Sequence, residues 1–429
     1  MSEQAMAPLK RVEDQLKKCV KCGACRANCP AFSAFGREPA VARGKVTLAQ
    51  HLLKNEIVLD DQTYLAMSRC LLCGSCVENC PNDVPTDEIV VAVRDALARK
   101  QGLTTFHAAV ARVIKKRSLM KLGARIAGLL GPLFFRKVPA SSGLRLRFPA
   151  PFVGNKRYIP ALARKPFMDR HPEVIPGEPG KPRILFFVGC MINFVYPEVA
   201  EAALALFRHL GCSVIIPKGQ QCCGLPGMSG GDLDTVRELA EKNLVEMERF
   251  EADFVMSACA TCSSALHRLY PLAIGKRNPE LKARLEALAA KTVDASQLLH
   301  KLGLNPAETG AGEAMRITYH DPCHLRTRNV TGQPRHLLCS VPGLELAEME
   351  TPERCCGLGG TFNVYHYESS MAINEAKSRA IINTAAQVVA TGCPGCMLQL
   401  ADGLKQHGSP TKVSHTLEIL ARSLLKTGS

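Results

Sequence analysis

The chain has 429 residues, a length that suits about three domains at roughly 150 residues each. Apolar residues make up 46%, ordinary for a globular protein. The formal charge is +15, yet there is no Trp and no basic stripe interleaved with aromatics, so no nucleic-acid partner is expected. No run reaches the ~20 apolar residues that span a bilayer, and Met1 to Lys18 is polar without an apolar signal core, so a cytoplasmic location is expected.

Helical patterns cover Leu9 to Lys18, Val41 to Lys54 and Asp87 to Lys100, and they flank two matching cysteine runs. The first is Cys19-x2-Cys22-x2-Cys25-x3-Cys29-Pro30, the second Cys70-x2-Cys73-x2-Cys76-x3-Cys80-Pro81. Three thiolates at this spacing wrap one face of a cubane, and the fourth, before proline, turns away to the other cluster. Two [4Fe–4S] clusters are expected, one on Cys19, Cys22, Cys25 and Cys80, the other on Cys70, Cys73, Cys76 and Cys29. Zinc knuckles would need separated Cys pairs, which this spacing does not offer. The forty residues between Cys29 and Cys70 exceed a minimal strand-rich ferredoxin and call for inserted helices.

Residues 101–180 read as a connector, basic first and then proline-rich, with irregular structure expected. Within it Ile126 to Phe135 is apolar and flanked by Lys115, Lys116, Arg117, Lys121, Arg125, Arg136 and Lys137. Two readings stay open: a helix packed on its own domain, or one lying on an anionic membrane surface, peripheral on the inner face of the cell membrane.

From Lys181 onward the chain repeats itself. Cys190, Cys222, Cys223, Cys259 and Cys262 recur about 133 residues later as Cys323, Cys355, Cys356, Cys393 and Cys396. Strand runs precede Cys190 (Arg183 to Val188) and Cys323 (Arg316 to Tyr319). Helices then alternate with the short strands Ser213 to Ile216, Phe254 to Met256, Leu344 to Met349 and Val388 to Val389. This alternation predicts two α/β lobes, each a parallel sheet with covering helices and its cysteines at the carboxyl ends of strands. The fold class is α+β multidomain: a helical two-cluster ferredoxin domain at 1–100, the connector at 101–180, and lobes at 181–308 and 309–429. Glycine after each Cys-Cys pair permits a turn other residues resist. Cys212 and Cys339 fall outside the pattern and read as ordinary buried thiols. His320 is left open between a role at the cluster and a plain loop residue, and His324 reads as a loop histidine satisfied by backbone.

Cys222-Cys223-Gly224 and Cys355-Cys356-Gly357, each with its later Cys-x2-Cys, resemble the heterodisulfide-reductase type of cysteine-rich domain. The whole arrangement is similar to the iron–sulfur subunits of glycolate oxidase, respiratory lactate dehydrogenase, anaerobic glycerol-3-phosphate dehydrogenase and heterodisulfide reductase. Tyr319-His320-Asp321-Pro322-Cys323-His324-Leu325, Gln333-Pro334-Arg335, Val341-Pro342-Gly343, Arg354-Cys355-Cys356-Gly357, and Cys393-Pro394-Gly395-Cys396 with Gln399 look like the glycolate and lactate branch. The resemblance implies a further, noncubane cluster on each five-cysteine set, with zinc or a cubane in one lobe as the competing reading. It also implies an electron-transfer subunit with no catalytic residue of its own. A partner FAD-containing dehydrogenase would oxidise glycolate or D-lactate, and electrons would pass to quinone or another acceptor such as a redox protein. A catalytic reductase of disulfides is the alternative. No Gly-x-Gly-x-x-Gly turn follows a strand, which agrees with the flavin being on another polypeptide. Eighteen ligating thiolates and four +2 cores would bring the formal +15 down to about +5.

Overall fold

The computed structural model describes residues 3–137, 144–146, 157–158, 161–275, 278–309 and 314–425. The chain forms two compact units. The first takes Met1–Val113, Gly224–Val236 and Arg354–Ala376, the second Ile114–Cys223, Arg237–Glu353 and Lys377–Ser429.

The first unit is helical. Its longest complete helix, Thr86–Gln101, starts with Asp87 and Glu88, ends with Arg99 and Lys100, and stops at Gly102, whose φ is +79°. Acidic and basic ends match the helix dipole, and glycine tolerates the left-handed exit. Ile89, Val90, Val93, Ala96 and Leu97 face a core shared with Leu9, Leu16, Val46, Leu52, Leu59 and Met67. The helix Ala42–Leu53 packs there too. Gly44 lets it approach the turn Glu38–Ala40, since a Cβ would lie 2.0 Å from Glu38 O.

The second unit holds two sheets and a short antiparallel pair, β1 (Phe135–Lys137) with β2 (Leu144–Leu146). One sheet contains β3 (Val174–Ile175), β4 (Arg183–Phe186), β5 (Ser213–Ile215), β6 (Phe254–Ser257) and β7 (Thr292–Asp294), in the order β3-β5-β4-β6-β7. Only β3 is antiparallel in it. The other contains β8 (Met315–His320), β9 (Leu344–Leu346), β10 (Val388–Thr391) and β11 (Lys412–His415), in the order β11-β10-β8-β9, all parallel. Taken in chain order each lobe is 2-1-3-4, so the sequence repeat is a repeat of topology. In such a sheet the strand order reverses between strands 1 and 3, which opens a crevice beyond their carboxyl ends. That crevice lies beyond β4 and β6 in one lobe and β8 and β10 in the other.

The connector differs from the irregular structure expected. Helices occupy Thr105–Ile114 and Arg117–Phe134. Residues 138–143, 147–156 and 159–160, with Pro149, Pro151 and Pro160, lie outside those described. No helix among the described residues is long and apolar enough to cross a membrane.

Candidate metal centres

In the first unit the ferredoxin-type cysteines line two hollows, each enclosing about 400 Å³ of empty space including its open mouth. Cys19, Cys22, Cys25 and Cys80 line one, and Cys76 lines it too. Cys29, Cys70, Cys73 and Cys76 line the other. The crossover of the fourth cysteine is therefore present in the geometry. It follows from the Cys-Pro steps. Pro30 occupies the first turn of helix Pro30–Phe35 and leaves Cys29 extended at φ −87°, its Sγ accepting from Phe32 N–H at 3.4 Å. Val84 N–H reaches Cys80 Sγ at 3.5 Å.

The two runs share their backbone as well as their spacing. Lys21 and Leu72 have φ of +59° and +55°, and Gly23 and Gly74 have +89° and +74°. A bulky leucine in the left-handed region is a strained conformation that tends to mark functional sites. The hollows differ in exposure: Cys22 is exposed, whereas Cys73 is buried. Burial pushes the Cys29 thiol up to about 12, against the Phe32 N–H that favours the thiolate.

In the second unit all five cysteines of the first lobe converge. Cys190 begins a helix just after β4, and Cys259 caps one just after β6. Cys190 Sγ and Cys222 Sγ are 3.9 Å apart, and Cys262 bonds to Cys223 and Cys259. Gly189, at φ +72°, has no room for a side chain, because a Cβ would lie 2.7 Å from Cys262 Sγ. Directly after Cys262 the helix widens to π geometry over Ala265–Leu269, as helices often do at functional sites. This brings the buried Tyr270 hydroxyl to Asn243 Nδ2 at 2.9 Å, and the same amide donates to Cys222 O at 3.1 Å.

The second set divides between the units. Cys323, Cys393 and Cys396 stand in the second, after β8 and β10. The Cys393 side chain is held well below the usual thiol range by hydrogen bonds from Cys259 and Cys396, so the two Cys-x2-Cys motifs touch. Thr261 Oγ1 adds to this junction, 3.7 Å from Cys393 Sγ and 3.2 Å from His324 Nδ1. Cys355 and Cys356 belong to the first unit, where the Cys73 thiol bonds to Cys355. Asn374 Nδ2 donates to Cys356 O at 2.9 Å, the counterpart of Asn243. Gly224 and Gly357 have φ of +85° and +98°, the turn expected after each cysteine pair.

One reading needs adjustment, that of Cys339, and the two histidines gain detail. His324 Nδ1 lies 3.2 Å from the Thr261 hydroxyl. His320 is fully buried, pushed down to about 3 chiefly by that burial, and neither ring nitrogen has a hydrogen-bond partner among the described residues. Cys212 is buried as expected, but Cys339 is exposed, because helix Gly332–Cys339 turns Leu337 and Leu338 inward and its last residue outward. Asn243, Asn374 and the buried Lys45 were not found by motif. For Lys45 the signal was a lone polar residue on an otherwise apolar helix face; Asn374 shares its face with the buried Ser370, Lys377 and Ser378.

The donor set fits iron–sulfur clusters. All twenty cysteines are free thiols, and each hollow presents at least the four that a cubane requires, with Cys76 lining both. The family described as a 4Fe-4S dicluster domain matches residues 15–84, and that described as a cysteine-rich domain, CCG, matches 184–267 and 317–401. The probable glycolate oxidase iron-sulfur subunit of Bacillus subtilis is 29% identical over 413 residues, covering 94% of this chain and 92% of that protein. Lactate utilization protein A of Geobacillus kaustophilus is 35% identical over 240 residues, covering 56% of this chain and 98% of that protein. One of the subunits of the fumarate reductase (CoM/CoB) of Methanothermobacter marburgensis is 28% identical, covering 95% and 72%. A crystal structure of a hypothetical protein from Helicobacter pylori shares the fold, with a TM-score of 0.50 at 11% identity over 98% of this chain and 76% of that one. By motif, topology and these relatives, the chain belongs to the family of iron–sulfur proteins that join a 4Fe-4S dicluster domain to two cysteine-rich CCG domains, the glycolate oxidase and lactate utilization type.

Proposed function

We propose that this chain is the electron-transfer subunit of a flavin-dependent 2-hydroxyacid dehydrogenase or oxidase acting on glycolate or D-lactate. Its parts would be a dicluster ferredoxin domain at 1–100, a connector at 101–180 and CCG lobes at 181–308 and 309–429. The observation that carries the reading is the contact between thiols of successive sites. Cys73 meets Cys355 in the first unit, and Cys259 meets Cys393 in the second. Electron transfer weakens steeply with distance, so touching ligand residues are what a relay needs.

Cys19, Cys22, Cys25 and Cys80 would hold one [4Fe–4S] cluster, and Cys29, Cys70, Cys73 and Cys76 the second. Cys190, Cys222, Cys223, Cys259 and Cys262 would hold a third cluster, and Cys323, Cys355, Cys356, Cys393 and Cys396 a fourth, of noncubane type. Bound clusters supply one-electron steps; the protein supplies position and electrostatics. Asn243 and Asn374 fix the Cys-Cys loops through their carbonyls, and the backbone N–H groups of Met191 and Cys396 favour the thiolates of Cys190 and Cys393. Hydride abstraction belongs to an FAD-containing partner, in line with the glycolate oxidase and lactate utilization relatives, and quinone or a redox protein would take the electrons. A peripheral membrane contact on the cytoplasmic side would use the exposed Leu119, Leu122 and Ile126 stripe.

Copurification with a flavoprotein, followed by assays on a panel of 2-hydroxy acids, tests the reading. Cys356→Ser should abolish reduction of a quinone-like acceptor by the complex and leave dye reduction at the flavin intact. A second reading, a disulfide reductase, is favoured by the Cys259 and Cys393 junction. Robust disulfide reduction by the isolated chain, lost in Cys356→Ser, would put that reading in its place.

A further inference from the structure

The two ferredoxin-type hollows carry different charge. The Lys45 side chain lines the one formed by Cys29, Cys70, Cys73 and Cys76, and it is only 1% exposed. Two of its three N–H donors go to Pro39 O at 2.7 Å and Ala40 O at 2.6 Å. Arg94 stands behind the same cysteine loop. It donates through Nε and Nη2 to Met67 O, through Nη2 to Cys70 O at 2.8 Å, and through Nη1 to Ser229 O. Neither cation has a carboxylate within ion-pair distance among the described residues; their acceptors are carbonyls. The one carboxylate lining that hollow, Asp87, is partly exposed.

A buried cation without an anion costs several kcal/mol, and two close together cost more. The fold bears that cost beside four thiols. A [4Fe–4S] cluster on four thiolates has a net charge of about −2, and about −3 once reduced. It is the anion this pocket lacks, and the cations favour the more negative state. The other hollow has no equivalent. Its cations are the exposed Lys21 and the partly exposed Arg43, and Arg43 is already paired with Glu38 at 2.7 and 2.8 Å. Water and Glu38 screen that charge.

Resting on the electron-transfer reading above, we infer that Lys45 and Arg94 are positioning residues that make the cluster of Cys29, Cys70, Cys73 and Cys76 the higher-potential member of the pair. Burial acts in the opposite sense, since a low dielectric disfavours the added negative charge. It is outweighed here because the cations share the same low dielectric and their attraction is unscreened. The solvent-facing cluster then becomes the entry and the inner cluster the collector, and Cys73 passes electrons onward at Cys355. Lys45 serves charge in addition to structure, so charge and hydrogen bonding can be separated.

The test is a potentiometric titration of the anaerobic full-length protein, followed by electron paramagnetic resonance, with iron content measured in parallel. Two cubane signals with separate midpoints are expected. Cys22→Ser, at the exposed cluster, should remove the lower-potential one. Lys45→Gln, which keeps a donor for Pro39 O and Ala40 O, should move the higher midpoint downward by at least tenfold in its reduction equilibrium, about 59 mV for one electron. The other midpoint should stay in place. Lys45→Arg should restore most of the shift. Lys45→Met is the second neutral variant should the amide distort the turn, and Arg94 is left intact because it holds four backbone carbonyl contacts. An iron-replete Lys45→Gln or Lys45→Met protein with unmoved midpoints would overturn the inference alone. A shift confined to the signal that Cys22→Ser removes would overturn it too. A wild-type chain that binds no iron would instead sink the electron-transfer reading.

Discussion

Arg335 holds the end of β8 beside a cysteine set. Its Nη1 and Nη2 grip Asp321 at 2.8 and 2.9 Å, its Nε reaches Glu348 at 2.5 Å, and its guanidinium lies 5.0 Å from the Tyr319 ring centre. Asp321 is almost buried, so Arg335→Ala strands a carboxylate and should cost about 3 kcal/mol in a denaturant titration. The sequence showed Gln333-Pro334-Arg335 and Tyr319 to Asp321 as separate motif fragments; a bidentate pair 14 residues apart joins them. Glycine is legible in the same partial way. Gly357→Ala meets both a φ of +98° and Ser370 O at 2.6 Å, and should destabilise by about 2–3 kcal/mol. Gly36→Ala, at φ +61° with open space around it, should cost only about 1 kcal/mol. Burial also pulls the His107 imidazole down to about 4, from 6.5 in an unfolded chain. The fold accommodates the neutral ring, so its stability is complete above pH ~6.5. It falls as the unfolded chain takes up protons toward pH ~4, and levels off below. A melting series in that window should show His107→Gln losing part of the slope.

At the scale of elements, the helices Ala42–Leu53 and Thr86–Gln101 and the strands before each cysteine were readable because their apolar patterns are continuous, whereas the expected helix Leu9 to Lys18 is broken at Arg11 and Val12 between Glu3–Lys10 and Glu13–Lys17. Edge strands β3, β7 and β11 were not, since two to four residues hold too little pattern to stand out. The basic helix Arg117–Phe134 was ambiguous for another reason: amphipathicity reports a face and leaves the neighbour unnamed. The neighbours are now visible. Lys115 pairs with Glu238 at 2.7 Å, and Arg117 and Lys121 both pair with Asp169. Arg117 also donates to Lys218 O, and its backbone N–H donates to Gln221 Oε1. These cations are engaged within their own unit. Arg117→Glu should therefore lower the melting temperature, whereas Lys116→Glu, on an exposed residue, should leave it unchanged. In the helix Ala42–Leu53, Gly44→Ala would press a methyl against backbone that cannot yield and should cost about 3 kcal/mol, with loss of iron from the inner hollow.

At the scale of the whole molecule, linear reading found every cysteine set and could not see how the chain divides. Segments 224–236 and 354–376, each beginning at or just before the end of a Cys-Cys-Gly loop, belong with the N-terminal helices. Nothing in the local pattern of Gly359 announces that a Cβ there would sit 3.0 Å from Leu71 Cγ. Anaerobically isolated protein should carry about eight iron from the first unit alone, at four per cubane, and more with the CCG sets filled. Iron analysis checks this, and zinc without iron would contradict it.

The interleaving has a consequence in time. All eight ferredoxin-type cysteines have been synthesised by residue 80, but the segment that brings Cys355 onto Cys73 and Gly359 onto Leu71 begins only at residue 354. At roughly 5–20 residues per second, the ribosome needs on the order of fifteen seconds to a minute to cover that interval. During it the inner hollow has its ligands, while Cys73 and Leu71 lack their later neighbours. The order of translation thus leaves a window in which iron and sulfide can reach Cys73 before Cys355 packs against it.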